Sequence, residues 1–225
     1  FRVYRITESS EQATNMCLKA IEILTSLGKD KDIEMAKAYQ NLGWIASDDG
    51  CFHRAFYFLF MSLDIKSKYC GEDREAELGF LYQIIGKAYE EVNENEEARR
   101  YYEKALEANI NYYGNDHPIV AENIDLLGLL DEKEMKYEQA LIKFQNCSDI
   151  VTKFYGESHP KVADIYLHLG VIEENLGNYK ESLEFYNKSL KTDVSFFGAN
   201  HARIASTYCN IANTHFLQKK FCDAM

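Results

Sequence analysis

The sequence predicts an all-α protein, a superhelical solenoid of antiparallel helix pairs, and three observations carry that prediction. The first is a returning motif. Tyr113-Gly114-Asn115-Asp116-His117-Pro118 comes back as Tyr155-Gly156-Glu157-Ser158-His159-Pro160 and, weakened, as Phe197-Gly198-Ala199-Asn200-His201-Ala202, 42 residues on each time. A fixed period of that length marks stacked repeat units, each able to bury its apolar face only against a neighbour. The second is a register of small and bulky residues that keeps step with the motif. The third is composition: 46% hydrophobic and 13% aromatic residues exclude disorder, and two prolines in 225 residues leave little to interrupt long helices.

Taken in order, residues near Glu8 to Leu27 read as a helix, with Ala13, Met16, Cys17, Ala20, Ile21 and Leu24 at three- and four-residue steps along one side. Gly28 closes it, since glycine adopts the left-handed conformation without a Cβ penalty. From Lys31 the chain settles into pairs, helix A, short turn, helix B. Helix A carries a small reference residue at Gly43, Gly86, Gly128, Gly170 and Ala212. Helix B opens at Phe52, Asn95, Tyr137, Tyr179 and Phe221, with Ala55, Ala98, Ala140, Ser182 and Ala224 three further on. Bulky Leu59, Tyr102, Phe144 and Tyr186 follow a turn later, then small Ser62, Ala105, Cys147 and Ser189. Small residues let two backbones approach while rings fill the space beside them. Helix B is expected to stop at Gly71, Gly114, Gly156 or Gly198. The next helix A then starts on Pro118 or Pro160, with Asp116 or Ser158 available to cap its free donors.

These boundaries divide the chain into the end of a preceding repeat over 1–30 and repeats over 31–73, 74–116, 117–158 and 159–200. An incomplete fifth unit spans 201–225, and the whole reads as a fragment of a longer protein.

A formal charge of −11 argues against nucleic acid, which needs a basic face to release counterions, and against anionic membrane. No apolar run reaches the ~18 residues that span a bilayer, so no membrane insertion is expected. The six cysteines form no Cys-x-x-Cys pair and read as free thiols of a reducing compartment, placing the protein in the cytoplasm. One histidine per unit at positions 117, 159 and 201 cannot converge on one metal ion, so the three are expected at structural joints and no metal is predicted. No phosphate loop, Gly-x-Ser-x-Gly elbow or His-Glu-x-x-His helix is present, so neither an enzyme nor a cofactor is expected.

Leu-Gly, then Tyr-x-x-Ala, then an aromatic residue four beyond the alanine resembles the tetratricopeptide repeat. The 42-residue period with Gly-x-x-His-Pro-x-Val-Ala, complete at Ile119-Val120-Ala121 and Lys161-Val162-Ala163, is similar to the longer kinesin light chain-like and nephrocystin-like variety. Arg203-Ile204-Ala205 nearly completes it, whereas Lys31-Asp32 and Arg74-Glu75 stand where His-Pro would be. The resemblance implies that helices A line a concave groove. On this sequence the implied groove residues are Gln40, Asn41, Trp44, Gln83, Lys87, Glu90, Glu91, Glu122, Asp125, Glu132, Asp164, His168, Glu174, Asn210 and Asn213. Trp44 could stack on a ligand or serve packing. Asp131 and Glu173 occupy a place where the family usually has tyrosine, kept here as Tyr89. They imply either a helix edge open to water or a pair holding a cationic ligand group.

The middle of this groove is acidic, and a concave surface would focus the field of Glu90, Glu91, Asp125, Glu132 and Glu174 on a Lys- or Arg-bearing peptide. The expected function is therefore a protein-interaction scaffold that takes a basic partner segment. Two alternatives stay open. One is a structural spacer or assembly element of a large complex, cytoskeletal or ciliary by resemblance, with neighbouring subunits at its open repeat ends. The other is the regulatory domain of a multidomain signalling enzyme or motor.

Overall fold

The computed structural model describes residues 8–29, 32–68 and 74–224, and every described element is an α-helix. Ten helices run in order: α1 (Glu8–Ser26), α2 (Ile33–Asp48), α3 (Phe52–Lys68), α4 (Arg74–Glu91), α5 (Asn95–Tyr113), α6 (Pro118–Lys133), α7 (Tyr137–Tyr155), α8 (Pro160–Asn175), α9 (Tyr179–Phe197) and α10 (Ala202–Ala224). They form two compact units, Phe1–Tyr113 and Gly114–Met225. Within the first, α2 pairs with α3 and α4 with α5; within the second, α6 pairs with α7 and α8 with α9, while α10 packs on α9. Lys31, Gly71 and Cys70 of the sequence reading, and the side chains of Phe221, Cys222 and Ala224, lie outside the described residues.

The small-to-bulky register is the packing rule of each pair. Ala55, Ala98, Ala140 and Ser182 are fully buried, and so are Leu59, Tyr102 and Phe144, with Tyr186 at 1% exposure. The reference glycines sit against those bulky residues. A Cβ added to Gly43 would fall 2.6 Å from Leu59, one on Gly86 2.6 Å from the Tyr102 ring, one on Gly128 2.8 Å from Phe144 and one on Gly170 2.5 Å from Tyr186. Only a residue without a side chain lets each helix B come this close. In the first unit a second layer of rings continues outward, Phe56 and Tyr89 at 4.5 Å and Tyr89 stacked on Tyr101 at 5.5 Å, around a core of Leu59, Leu81 and Ile85.

The turns obey the same period. Between helix A and helix B a residue with positive φ recurs at Gly50, Asn93, Met135 and Gly177. Between helix B and the next helix A, Gly114, Gly156 and Gly198 supply it, with φ of 83°, 81° and 78°.

The joint differs from the sequence reading in which side chain caps the following helix. His117 and His159 are themselves the N-caps, in extended backbone, and their Nδ1 atoms accept the N–H of Ile119 and of Lys161 at 3.2 Å. Asp116 is not the cap; its carboxylate pairs with Lys153 instead. The proline at the first helical position fixes the chain so that the residue before it, histidine, faces the free donors. The imidazoles also stack on the last aromatic of the preceding helix, His159 on Tyr155 at 4.3 Å and His201 on Phe197 at 4.4 Å. Replacing His159 by Ala is expected to cost about 1 kcal/mol of stability, and replacing it by Asn, which can still cap, less than half of that. Urea unfolding of the two variants checks this, and equal losses would show that the ring stack, not the cap, matters.

Two expectations need correction. Of the α1 stripe, Ile21 and Leu24 pack against Met35 and Ala36, but Ala13 and Met16 are exposed, because among the described helices α1 packs chiefly against α2. Asp131 and Glu173 do not lie on an open edge. Asp131 is fully buried and bonded to Lys143 of α7, and Glu173, 7% exposed, accepts from Asn178 Nδ2 at 2.8 Å. Each carboxylate is thus satisfied inside its own helix hairpin, as a buried charge must be.

Candidate partner-binding surface of the A helices

In the second unit the A helices α6, α8 and α10 bring the predicted acidic residues into one electrostatic neighbourhood. Burial pushes the Asp125 carboxyl above its ordinary value; Asp164 and Glu122 add to this, while His168 and Lys161 oppose it. Burial likewise raises Glu132, with Asp125 adding and His168 opposing. Negative charge is therefore held where it is poorly solvated, which strengthens its attraction for a cation. His168 stands between the two carboxylates in this field and rests on Phe144 with ring centroids 5.0 Å apart.

Two cations absent from the predicted groove set hold the neighbouring A helices in register. Lys161 of α8 pairs with Glu122 of α6, and Arg203 of α10 pairs with Asp164 of α8 and with the buried Asp193 of α9 at 3.1 Å. Further along, Glu174 accepts from Asn213 Nδ2 at 2.8 Å and from the Thr214 hydroxyl, while the Asn210 carbonyl accepts from Thr214 at 3.0 Å. The signal for the two cations was present in the sequence, since Lys161 and Arg203 share one repeat position at the start of helix A.

In the first unit the corresponding cross-helix pair has its signs reversed: Lys37 of α2 lies 3.8 Å from Glu77 of α4. Glu77 also takes the ammonium of Lys66, a side chain with no exposure, at 2.6 Å, and Lys66 donates to Gln40 Oε1 at 2.6 Å as well. Gln40 is thus buried and engaged within the fold. Asn41, Lys87 and Glu91 are exposed, Trp44 is 56% exposed, and Gln83 is half-buried. Glu90 accepts the Tyr102 hydroxyl at 2.7 Å, so it braces the α4–α5 pair as well as carrying charge.

Among the described residues no three His, Cys, Asp or Glu side chains are grouped so as to hold a metal ion, and no helix is long and apolar enough to cross a membrane.

Paired helices with a period of 42 residues, small-residue seams and charged A-helix faces define an all-α helical repeat scaffold. Tetratricopeptide repeat models match residues 82–119, 123–193 and 161–224, more than half of the chain, and the chain belongs to that family. No curated protein matches it. Among solved structures, BtubC (BKLC) from P. vanneervenii is similar with a TM-score of 0.81 at 17% identity, over 97% of this chain and 87% of that one. The apo form of RapI gives 0.75 at 14% identity over 92% of this chain, which spans 55% of RapI. The nearly identical repeats of a putative kinesin light chain from Podosopora anserina give 0.68 at 15% identity, over 84% of this chain and 89% of that one. The repeats are of this kinesin light chain type, and a chain built of them is a protein–protein interaction scaffold.

Proposed function

We propose that this scaffold holds a basic segment of a partner protein on its A-helix faces, with the acidic face of α6 and α8 as its main contact. The observation that supports this most is the pair Asp125 and Glu132, whose carboxyls are kept poorly solvated beside each other's charge. Such an arrangement costs folding stability and is repaid when a cation arrives. The free thiols of Cys17, Cys51, Cys147 and Cys209 fit work in the reducing cytoplasm, and the kinesin light chain-like repeats favour a cytoskeletal or ciliary setting.

Reversing Glu90 or Asp125 would test the fold as much as the binding, given the Tyr102 bond and the burial of Asp125. Glu91→Lys combined with Glu132→Lys is the cleaner variant. Capture of Lys- and Arg-rich peptides should fall at least tenfold while helicity by circular dichroism stays unchanged. Unaltered capture would refute the acidic-face reading.

That second outcome would favour an assembly element, a reading supported by apolar side chains left exposed on α1 and α10: Met16 at 62%, Ile23 at 59%, Tyr208 at 57% and Phe216 at 57%.

A further inference from the structure

A cavity of about 160 Å³ opens in the second unit where α6, α7 and α8 meet. Its inner wall is Cys147, Val151 and Ile165, all buried, and its polar rim is Glu122, Asp125 and Asp164. The volume is far below the ~300 Å³ at which small-molecule sites begin, yet it exceeds the ~30 Å³ of one water several times over. It is the size of one side-chain head group.

The three rim carboxylates are not equivalent. Glu122 is paired with Lys161, and Asp164 with Arg203, so the two outer charges are already met within the fold. Asp125 is the exception: its Oδ1 is shut off from solvent and has no hydrogen-bond partner in the structure. Buried acceptors are nearly always satisfied, and one left open at the edge of a cavity is an acceptor waiting for a donor. The Cys147 thiol cannot supply it, because its Sγ is turned to the Ala121 carbonyl at 3.4 Å. Burial also raises the proton affinity of that thiol, so it is a neutral wall and not a competing anion.

We infer that this cavity is a socket for a single cationic side chain, Lys or Arg, of the partner segment, with Asp125 as the residue that receives its charge. The inference rests on the basic-partner reading above and names the residue that would select for it. The apolar inner wall fits the methylene stem of such a side chain, which buries its carbons while its head group seeks a carboxylate. Guanidinium suits the site better than ammonium, since its donors spread in a plane and can reach Asp125 while a second N–H faces the rim.

The test uses the whole chain with acetyl-arginine-methylamide, and the isosteric but neutral acetyl-citrulline-methylamide as control, followed by backbone and methyl NMR. A pentalysine peptide with one central arginine serves as the longer probe. The arginine probe, not the citrulline one, should shift Cys147, Val151 and Ile165, and Asp125→Asn should weaken its binding at least tenfold. The same variant should unfold at a higher temperature near neutral pH, which shows that it folds and that the carboxylate is held at a cost. If the peptide binds and loses affinity in Glu91→Lys/Glu132→Lys but not in Asp125→Asn, the socket is overturned and the acidic face stands. Failure of the peptide and both small probes to bind overturns both.

Discussion

Replacing Glu77 by Ala is expected to destabilise the first unit by about 3 kcal/mol, the lower end of what breaking a buried ion pair costs, while Lys66→Met should change stability by less than about 1 kcal/mol. The asymmetry follows from where the charges lie. Lys66 has no exposure and is served by three acceptors, Glu77 Oε2 and Gln40 Oε1 at 2.6 Å each and the Glu77 carbonyl at 3.2 Å. Removing Glu77 strands an ammonium that cannot reach water, although two neutral acceptors soften the loss. Removing the ammonium itself leaves a chain of similar length in an apolar seam, and Gln40 alone loses a partner. The double variant should recover most of the loss seen with Glu77→Ala. Burial outweighs Glu77 and lowers the Lys66 pKa, so the unfolded chain binds more protons between the folded and unfolded lysine values. Stability should therefore rise with pH through that alkaline window in the wild type, and the rise should vanish in Lys66→Met. Urea titrations at two pH values measure both effects.

Gly128→Val should cost about 3 kcal/mol, and the loss should shrink when Phe144 is made Leu in the same chain. A Cβ at position 128 would stand 2.8 Å from Phe144 Cε1 and 3.0 Å from Cζ, inside contact distance before the two methyls of valine are counted. Overpacking of this kind costs about 1–3 kcal/mol, and a branched side chain cannot turn away from it in a helix. Gly128→Ala is the milder case, since alanine regains about 1 kcal/mol of helix propensity and so offsets part of the clash. Leucine at 144 is a fair rescue because the first repeat already uses it, with Leu59 against Gly43. Absence of rescue would mean that the seam has no room to relax.

Much of this fold was legible in the residues, because its determinants recur at one period and each recurrence tests the others. The glycine seam, its bulky partners and the left-handed joint glycines all follow from steric demands that a sequence states directly. The caps were not legible in the same way. Asp116 and Ser158 have the usual capping side chains, and only the backbone path shows that His117 and His159 face the free donors. The candidate surface was legible as charge but not as pairing. Glu122 and Asp164 read as groove anions until Lys161 and Arg203 are seen to reach them from the next A helix, a contact between residues 39 apart in the chain. Likewise Gln40 carries a groove position in the register, and its burial depends on Lys66, a residue whose type gives no hint that it would point inward.

The most direct test of the acidic face is capture of this chain by an array balanced between basic, neutral and acidic peptides, read at low and then at physiological salt. Preferential capture of basic peptides, falling steeply as salt screens the field, is the predicted result. Capture of acidic or neutral peptides instead, or binding of basic ones that salt leaves untouched, would contradict it.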